Sequence, residues 1–160
     1  MRQFHYVRAF LLLSVGAVHL AWASPTDDTL RLTITAPHVV IREFNVSLEV
    51  SMSNRTTQPI AIIKTSPGCD FSADVRDVDG QKVPLTQAGA ELSNCASRLA
   101  TGRWIRVILK PGESTDETYP VDLYYGLARP GIYRVQLSRE LPSQLGGVAK
   151  SNEVFLNLAE

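Results

Sequence analysis

The sequence predicts an all-β protein, an antiparallel β-sandwich of seven to eight strands, and three observations predict it. Strand-length stretches alternate apolar with polar residues, most cleanly Val46, Leu48, Val50 and Met52 against Ser47, Glu49, Ser51 and Ser53. Period 2 is the mark of a strand with one face in a core and the other in water. Pro and Gly turn signals separate these stretches, and no convincing helical period runs between them, which is the pattern of packed sheets rather than of mixed layers. Finally, a Pro130-Gly131 turn runs directly into an alternating strand headed by Tyr133, with Val135 and Leu137 on the same face.

That last stretch, Leu127 to Leu137, also selects the kind of sandwich. Pro130 presets φ at about −65° and Gly131 can take the positive φ that follows, so the chain turns between two strands at little steric cost. A tyrosine two residues past such a turn, able to bond back to the corner's backbone, resembles the tyrosine corner at the start of strand F in immunoglobulin-like sandwiches. Pro130, Gly131 and Tyr133 are therefore the expected structural corner. Tyr133→Phe is expected to cost about 1–3 kcal/mol by stripping a buried backbone group of its partner. Tyr124, which the same alternation places on the outer face with Asp122, is expected to tolerate that change within about 0.5 kcal/mol.

Residues 1–23 read as an export signal: Arg2 and Arg8, an apolar run from Ala9 to Leu20, and Ala21-Trp22-Ala23 before Ser24. An uncleaved anchor needs about 20 apolar residues to span a bilayer, and Ala9 to Ala23 supplies 15. Residues 24–160 are then one domain, secreted or periplasmic, with no membrane span after signal cleavage and enough chain to bury a core. Without Arg2 and Arg8, 14 basic residues face 16 acidic ones, with the signs interspersed. Nucleic acid is an unsuitable partner for such a surface, because phosphate binding needs a basic patch. Cys69 and Cys95 are the two cysteines. An even count in an exported chain reads as a disulfide, with free or metal-binding thiols as the alternative. The bridge would close a loop of about 27 residues, worth about 3 kcal/mol in the chain-entropy model.

In chain order, Leu30, Leu32 and Ile34 alternate with Arg31, Thr33 and Thr35, and Pro37 ends that strand. After the Val46–Met52 strand and a polar Asn54–Gln58 turn, Pro59 to Lys64 is continuously apolar, as a central strand covered on both sides would be. Phe71 to Val78 forms a strand, Asp79-Gly80 a hairpin turn, and Lys82 to Leu85 a short return. Thr86 to Gly102 has no sustained period and reads as a long loop with room for one helical turn. Arg103 to Lys110 alternates with Ile105, Val107 and Leu109 inward. Val121, Leu123 and Tyr125 form the inward set of the next strand, and Val154, Leu156 and Leu158 close the domain.

Several of these residues stand together in a familiar order: Asn54 with Pro59-Ile60, then Asp70-Phe71, Val75-Arg76-Asp77, Asp79-Gly80, and Leu109-Lys110-Pro111-Gly112-Glu113-Ser114. Over roughly residues 48–114 the chain resembles the small bacterial immunoglobulin-like family named after the Bacillus intracellular proteinase inhibitor. The resemblance implies the sandwich, and a proteinase-inhibitor-like role is one function it would imply. The export signal and the cysteine pair depart from that namesake.

Catalytic and metal chemistry find little purchase. His38 is the one histidine left after signal removal, and no G-x-S-x-G or S-x-x-K surrounds any serine, so a loop histidine without catalytic duty is expected. His38 with two cysteines 26 positions apart lacks the close ligand spacing of a zinc site. Asp74, Asp77 and Asp79 before Gly80 suggest calcium, but Asp74 and Asp77 point to opposite faces of a strand, which favours a strand end with a hairpin turn. No cofactor is expected. The sequons at Asn45 and Asn54 arise readily in strands rich in Ser and Thr.

Trp104 carries more. The alternation sets it opposite Ile105, Val107 and Leu109, on a face shared with Arg106 and Ile108. An exposed Trp-Arg-Ile stripe has the composition of an interaction surface; alternatively the Thr86–Gly102 loop covers it as a second small core. The expected function is a non-catalytic exported binding or interaction module whose partner is another protein. The alternative is a structural component of a periplasmic or cell-surface assembly.

Overall fold

A computed structural model describes residues 29–37, 40, 41, 45–95 and 104–159, and of Val40 and Ile41 only the backbone. The expected signal at residues 1–23, the cleavage point before Ser24, and His38 lie outside the described residues.

Nine strands occur among the described residues: β1 (Leu30–Thr35), β2 (Val40–Ile41), β3 (Ser47–Asn54), β4 (Ile60–Lys64), β5 (Ser72–Arg76), β6 (Ile105–Leu109), β7 (Ser114–Pro120), β8 (Gly131–Glu140) and β9 (Val148–Ala159). Three helices of four to six residues lie between them: α1 (Pro67–Asp70), α2 (Gln87–Leu92) and α3 (Val121–Tyr124). One sheet has the order β1-β3-β7 and another β2-β9-β8-β5, with β4 and β6 as a separate two-stranded ribbon. All pairings are antiparallel except β2 along β9. The first part of the chain thus serves both sheets, and the penultimate strand lies between the last strand and β5. This is the order of an immunoglobulin-like sandwich.

The core follows from the alternation. Leu30, Leu32 and Ile34 of β1, Leu48, Val50 and Met52 of β3, and Val135, Leu137, Leu156 and Leu158 of β8 and β9 are all buried, each worth about 1.5–3 kcal/mol of transfer free energy. Asn152 ties the sheets at their shared border: its carboxamide accepts from Ile34 N–H and donates to Ile34 O, both at 2.9 Å. At the Gln136/Ser138 bulge the Leu137 N–H finds no ladder partner and bonds Ser151 Oγ instead, at 2.9 Å. At the corner, the Tyr133 hydroxyl donates to Arg129 O at 2.7 Å and accepts from Arg129 N–H at 3.3 Å.

Asn54 is the joint of the molecule. The β3–β7 ladder runs to Ser53 opposite Ser114, and the β4–β6 ladder resumes with Ile60 opposite Leu109. Between them the Asn54 side chain, fully buried, donates to Gln58 O (2.7 Å) and Leu109 O (2.9 Å) and accepts from the Thr56 N–H and hydroxyl. All of its hydrogen-bonding capacity is used. The two ladders are therefore one long hairpin bent at Asn54. The bend brings Lys64, at the far end of β4, back to Glu117 of β7 at 3.5 Å, a corner of the kind that lets strands change layers.

Two expectations are corrected, and one strand is added to them. Ser114–Pro120 is a strand although only Tyr119 in it is fully buried; its Ser, Thr, Asp and Glu side chains carry almost no apolar period to read. Pro59–Lys64 is not a strand covered on both sides: among the described residues β4 pairs only with β6, and Ile63 is exposed. Most consequentially, Val121 to Tyr125 does not continue as a strand. One helical turn, closed by Tyr125 N–H on Val121 O, places Val121 and Tyr124 inward and Leu123 outward.

Tyr124 is thus the opposite of an outer-face residue. It is 2% exposed, its ring stacks on Tyr119 with centroids 5.1 Å apart, and its hydroxyl accepts from Gly68 N–H at 2.9 Å. A side chain at Gly68 would meet the Tyr124 ring, and one at Gly89 its carbonyl. Thr86 caps α2 through Gly89 N–H, and also donates its hydroxyl to Leu123 O. The loop expected from Thr86 onward so begins as a helix docked on Tyr124, and the Cys69–Cys95 disulfide, with Cα atoms 5.5 Å apart, ties it to α1.

Candidate functional site

The outer face of the bent hairpin's far half, β4 and β6, carries a group of exposed apolar side chains. Ile63 stands opposite Arg106 and Ala61 opposite Ile108, so Ala61, Ile63, Trp104, Arg106 and Ile108 share the face turned from the core. Trp104 is 53% exposed, Ile63 54% and Ile108 57%. Arg106 is exposed and makes no ion pair among the described residues. The described part of the Thr86–Gly102 segment does not cover Trp104; residues 96–103 lie outside the description.

The inward side of β6 departs from its expectation. Leu109 is buried and Val107 half-buried, but Ile105 is 69% exposed. Burial rises along the strand toward the Asn54 joint, so the first residues of β6 overhang the sandwich and both of their faces meet solvent. Ile63 is not legible as a member of the site, because the apolar run Ile60-Ala61-Ile62-Ile63 has no period from which a face can be assigned.

Beside Ile63 opens a cleft of about 400 Å³, lined by Thr65, Phe71, the Cys69–Cys95 bridge and Ser138–Glu140. Arg139 crosses its floor. The guanidinium donates to Ile63 O and to Asp70 O (3.4 Å), lies 3.7 Å from the Asp70 carboxylate, and sits 5.3 Å above the Phe71 ring. Asp70 in turn accepts from Thr65 N–H and hydroxyl. This ion pair is almost fully enclosed and every oxygen of the acid has a donor, the condition under which buried charge is tolerable. Farther in, burial raises the Glu117 carboxyl above its ordinary value of 4.5, against the pull of Lys64.

The acidic hairpin is used internally. The Arg76 guanidinium bonds Asp74 at 2.9 Å and lowers its carboxyl, while Asp77 Oδ1 accepts from Asp79 N–H and Gln81 N–H. Among the described residues no three His, Cys, Asp or Glu side chains are placed to hold a metal ion, and no helix is long and apolar enough to cross a membrane.

No protein-family model matches the chain, and no curated protein matches it. Among solved structures it is similar to the CARDB domain of the PF1109 protein from Pyrococcus furiosus, crystallised in complex with di-metal ions, at 14% identity and a TM-score of 0.40 over 81% of this chain and 87% of that one. The comparisons give no support to membership of the proteinase-inhibitor family, and the sandwich stands on the strand order of the protein itself.

Proposed function

We propose that the protein is an exported, non-catalytic binding module that docks another protein on the outer face of the β4–β6 ribbon. The observation that carries this reading is the Trp104–Ile63–Ile108 surface: three large apolar side chains, each more than half exposed, around an exposed arginine that makes no ion pair among the described residues. Trp and Arg are the residues most enriched among those that dominate interface energetics. The disulfide accords with an oxidising compartment. An inhibitory or assembly role would use the same face with a different partner.

The test is capture of a partner from the periplasmic or secreted fraction by the immobilised domain, in parallel with Trp104→Ser. The expected result is one dissociable protein held by the native domain and lost with the variant. Equal capture by both would remove the ribbon from the binding surface, and recovery only in large complexes would favour a structural component.

A further inference from the structure

We infer that a second site, on the outer face of the β5–β8–β9 sheet and independent of the ribbon, binds a carboxylate-bearing oligosaccharide. The register sets outward rows across β5 and β8: Ser72 beside Ser138, Asp74 beside Gln136, and Arg76 beside Arg134. On β9 the same rows continue with Lys150, Glu153 and Phe155. Lys150 and Glu153 stand three positions apart, and in a regular strand they would face opposite sides. The bulge opposite Leu137 adds a residue to β9 and turns both outward, the re-aiming for which bulges recur beside functional sites. Lys150 thereby lines an open cavity of about 290 Å³, together with Ser72, Asp74, Arg76, Lys82 and Gln136.

The charges and the open hydrogen-bonding positions select the occupant. In the lining, three cations face the single carboxylate of Asp74. Arg76 is held on Asp74 at 2.9 Å, and Arg134 nearby on Glu153 at 3.3 Å, whereas Lys82 and Lys150 are exposed and make no ion pair among the described residues. Glu140, two positions beyond Ser138, lines the other cleft instead. The field is positive: the Asp74 carboxyl is lowered first by its Arg76 hydrogen bond and further by the charges of Arg76, Lys82 and Arg134. Two lysines therefore call for an anion. Acceptors also stand open, because among the described residues Asp74 uses only Oδ2, on Arg76, and Gln136 uses its amino group on Ser151 O. Phosphate, sulfate and simple carboxylates bring no donor for them, while sugar hydroxyls do. A peptide would seek main-chain partners, and the face of a sheet offers none, since its N–H and C=O groups lie in the sheet plane. One row along, Phe155 is 64% exposed and presents a flat apolar ring to the C–H face of a further sugar unit.

Calorimetric titration of the full mature domain tests this, with tetramers of galacturonate, mannuronate and alternating glucuronate–hexosamine as probes. At least one tetramer is expected to bind, and the joint change Lys82→Gln and Lys150→Gln to weaken it by about tenfold or more. Both lysines are exposed, so the unfolding midpoint should stay at the native value. The methyl-esterified tetramer, which keeps the hydroxyls and loses the charge, and hexaglutamate, which keeps charge and loses the hydroxyls, are each expected to bind at least about tenfold more weakly. Trp104→Ser should bind the tetramer as the native domain does. No binding by any tetramer, or binding that survives loss of both lysines, would overturn the site. Hexaglutamate or inorganic phosphate binding as tightly as the tetramer would overturn the saccharide and leave a simple anion patch. Loss of tetramer binding in Trp104→Ser would move the ligand to the ribbon and overturn the site as well, whereas failure of protein capture there would bear on the ribbon alone.

Discussion

The two halves of the bent hairpin share strands, pairing and register, and differ in what they show to solvent. In β3 and β7 the outward residues are Ser47, Glu49, Ser51 and Ser53 facing Ser114, Asp116 and Thr118; in β4 and β6 they are Ala61 and Ile63 facing Trp104, Arg106 and Ile108. The near half obeys the ordinary rule for a one-sided sheet, polar toward water. The far half breaks it with large apolar groups while still burying Ile60, Ile62 and Leu109 beneath. Among the described residues, folding therefore uses one side of this ribbon, and under the proposed function the residues on the other side serve binding.

The largest expected effect comes from cutting the tie between ribbon and sandwich. Arg139→Ala removes the donor to Ile63 O and leaves the Asp70 charge enclosed without its partner. A loss of about 3–5 kcal/mol in denaturant unfolding is expected; a loss below about 1 kcal/mol would mean that the ribbon is not anchored through this pair.

Next are the two tyrosines. Tyr133→Phe strips Arg129 of its partner and Tyr124→Phe strips Gly68, with each ring staying packed, so each is expected to cost about 1–3 kcal/mol. The sequence separates these residues, and the structure does not. Tyr133 is legible because a Pro-Gly turn fixes the phase of the strand after it. Tyr124 is not, because Val121, Leu123 and Tyr125 satisfy a period of two by chance while the chain makes a single helical turn of period near 3.6. Unfolding midpoints that spare Tyr124→Phe would restore the strand reading.

The same division runs through the rest of the chain. The sheets, the corner and the Trp104–Arg106–Ile108 face could be read from alternation, and the cysteine pair from its even number. The Asn54 joint, the buried Asp70–Arg139 pair and the β7 strand could not, since each depends on polar side chains whose partners lie far away in sequence: Asn54 bonds Leu109, 55 positions on, and Arg139 bonds Asp70, 69 positions back.

A smaller effect distinguishes the inner side of the hairpin by pH. Burial raises the Glu117 carboxyl, so its neutral form is favoured in the folded state. Its stabilising contribution is full below the ordinary value of 4.5 and is lost as pH rises through the raised folded value. Glu117→Gln should accordingly gain on the native protein as pH rises from 4.5 toward neutrality; a constant difference across that range would place Glu117 in water rather than beneath the ribbon.

The central claim is that the outer face of the β4–β6 ribbon is no part of the folding core. The direct measurement is the unfolding free energy of a protein carrying Ile63→Ser, Trp104→Ser and Ile108→Ser together. With the face free in solution, the three changes should alter stability by no more than about 0.5 kcal/mol each, and the Asn54 joint and the core beneath should unfold as in the native chain. A loss of several kcal/mol, of the size that truncating buried apolar side chains produces, would show that these side chains are packed against the domain itself, and would contradict the account.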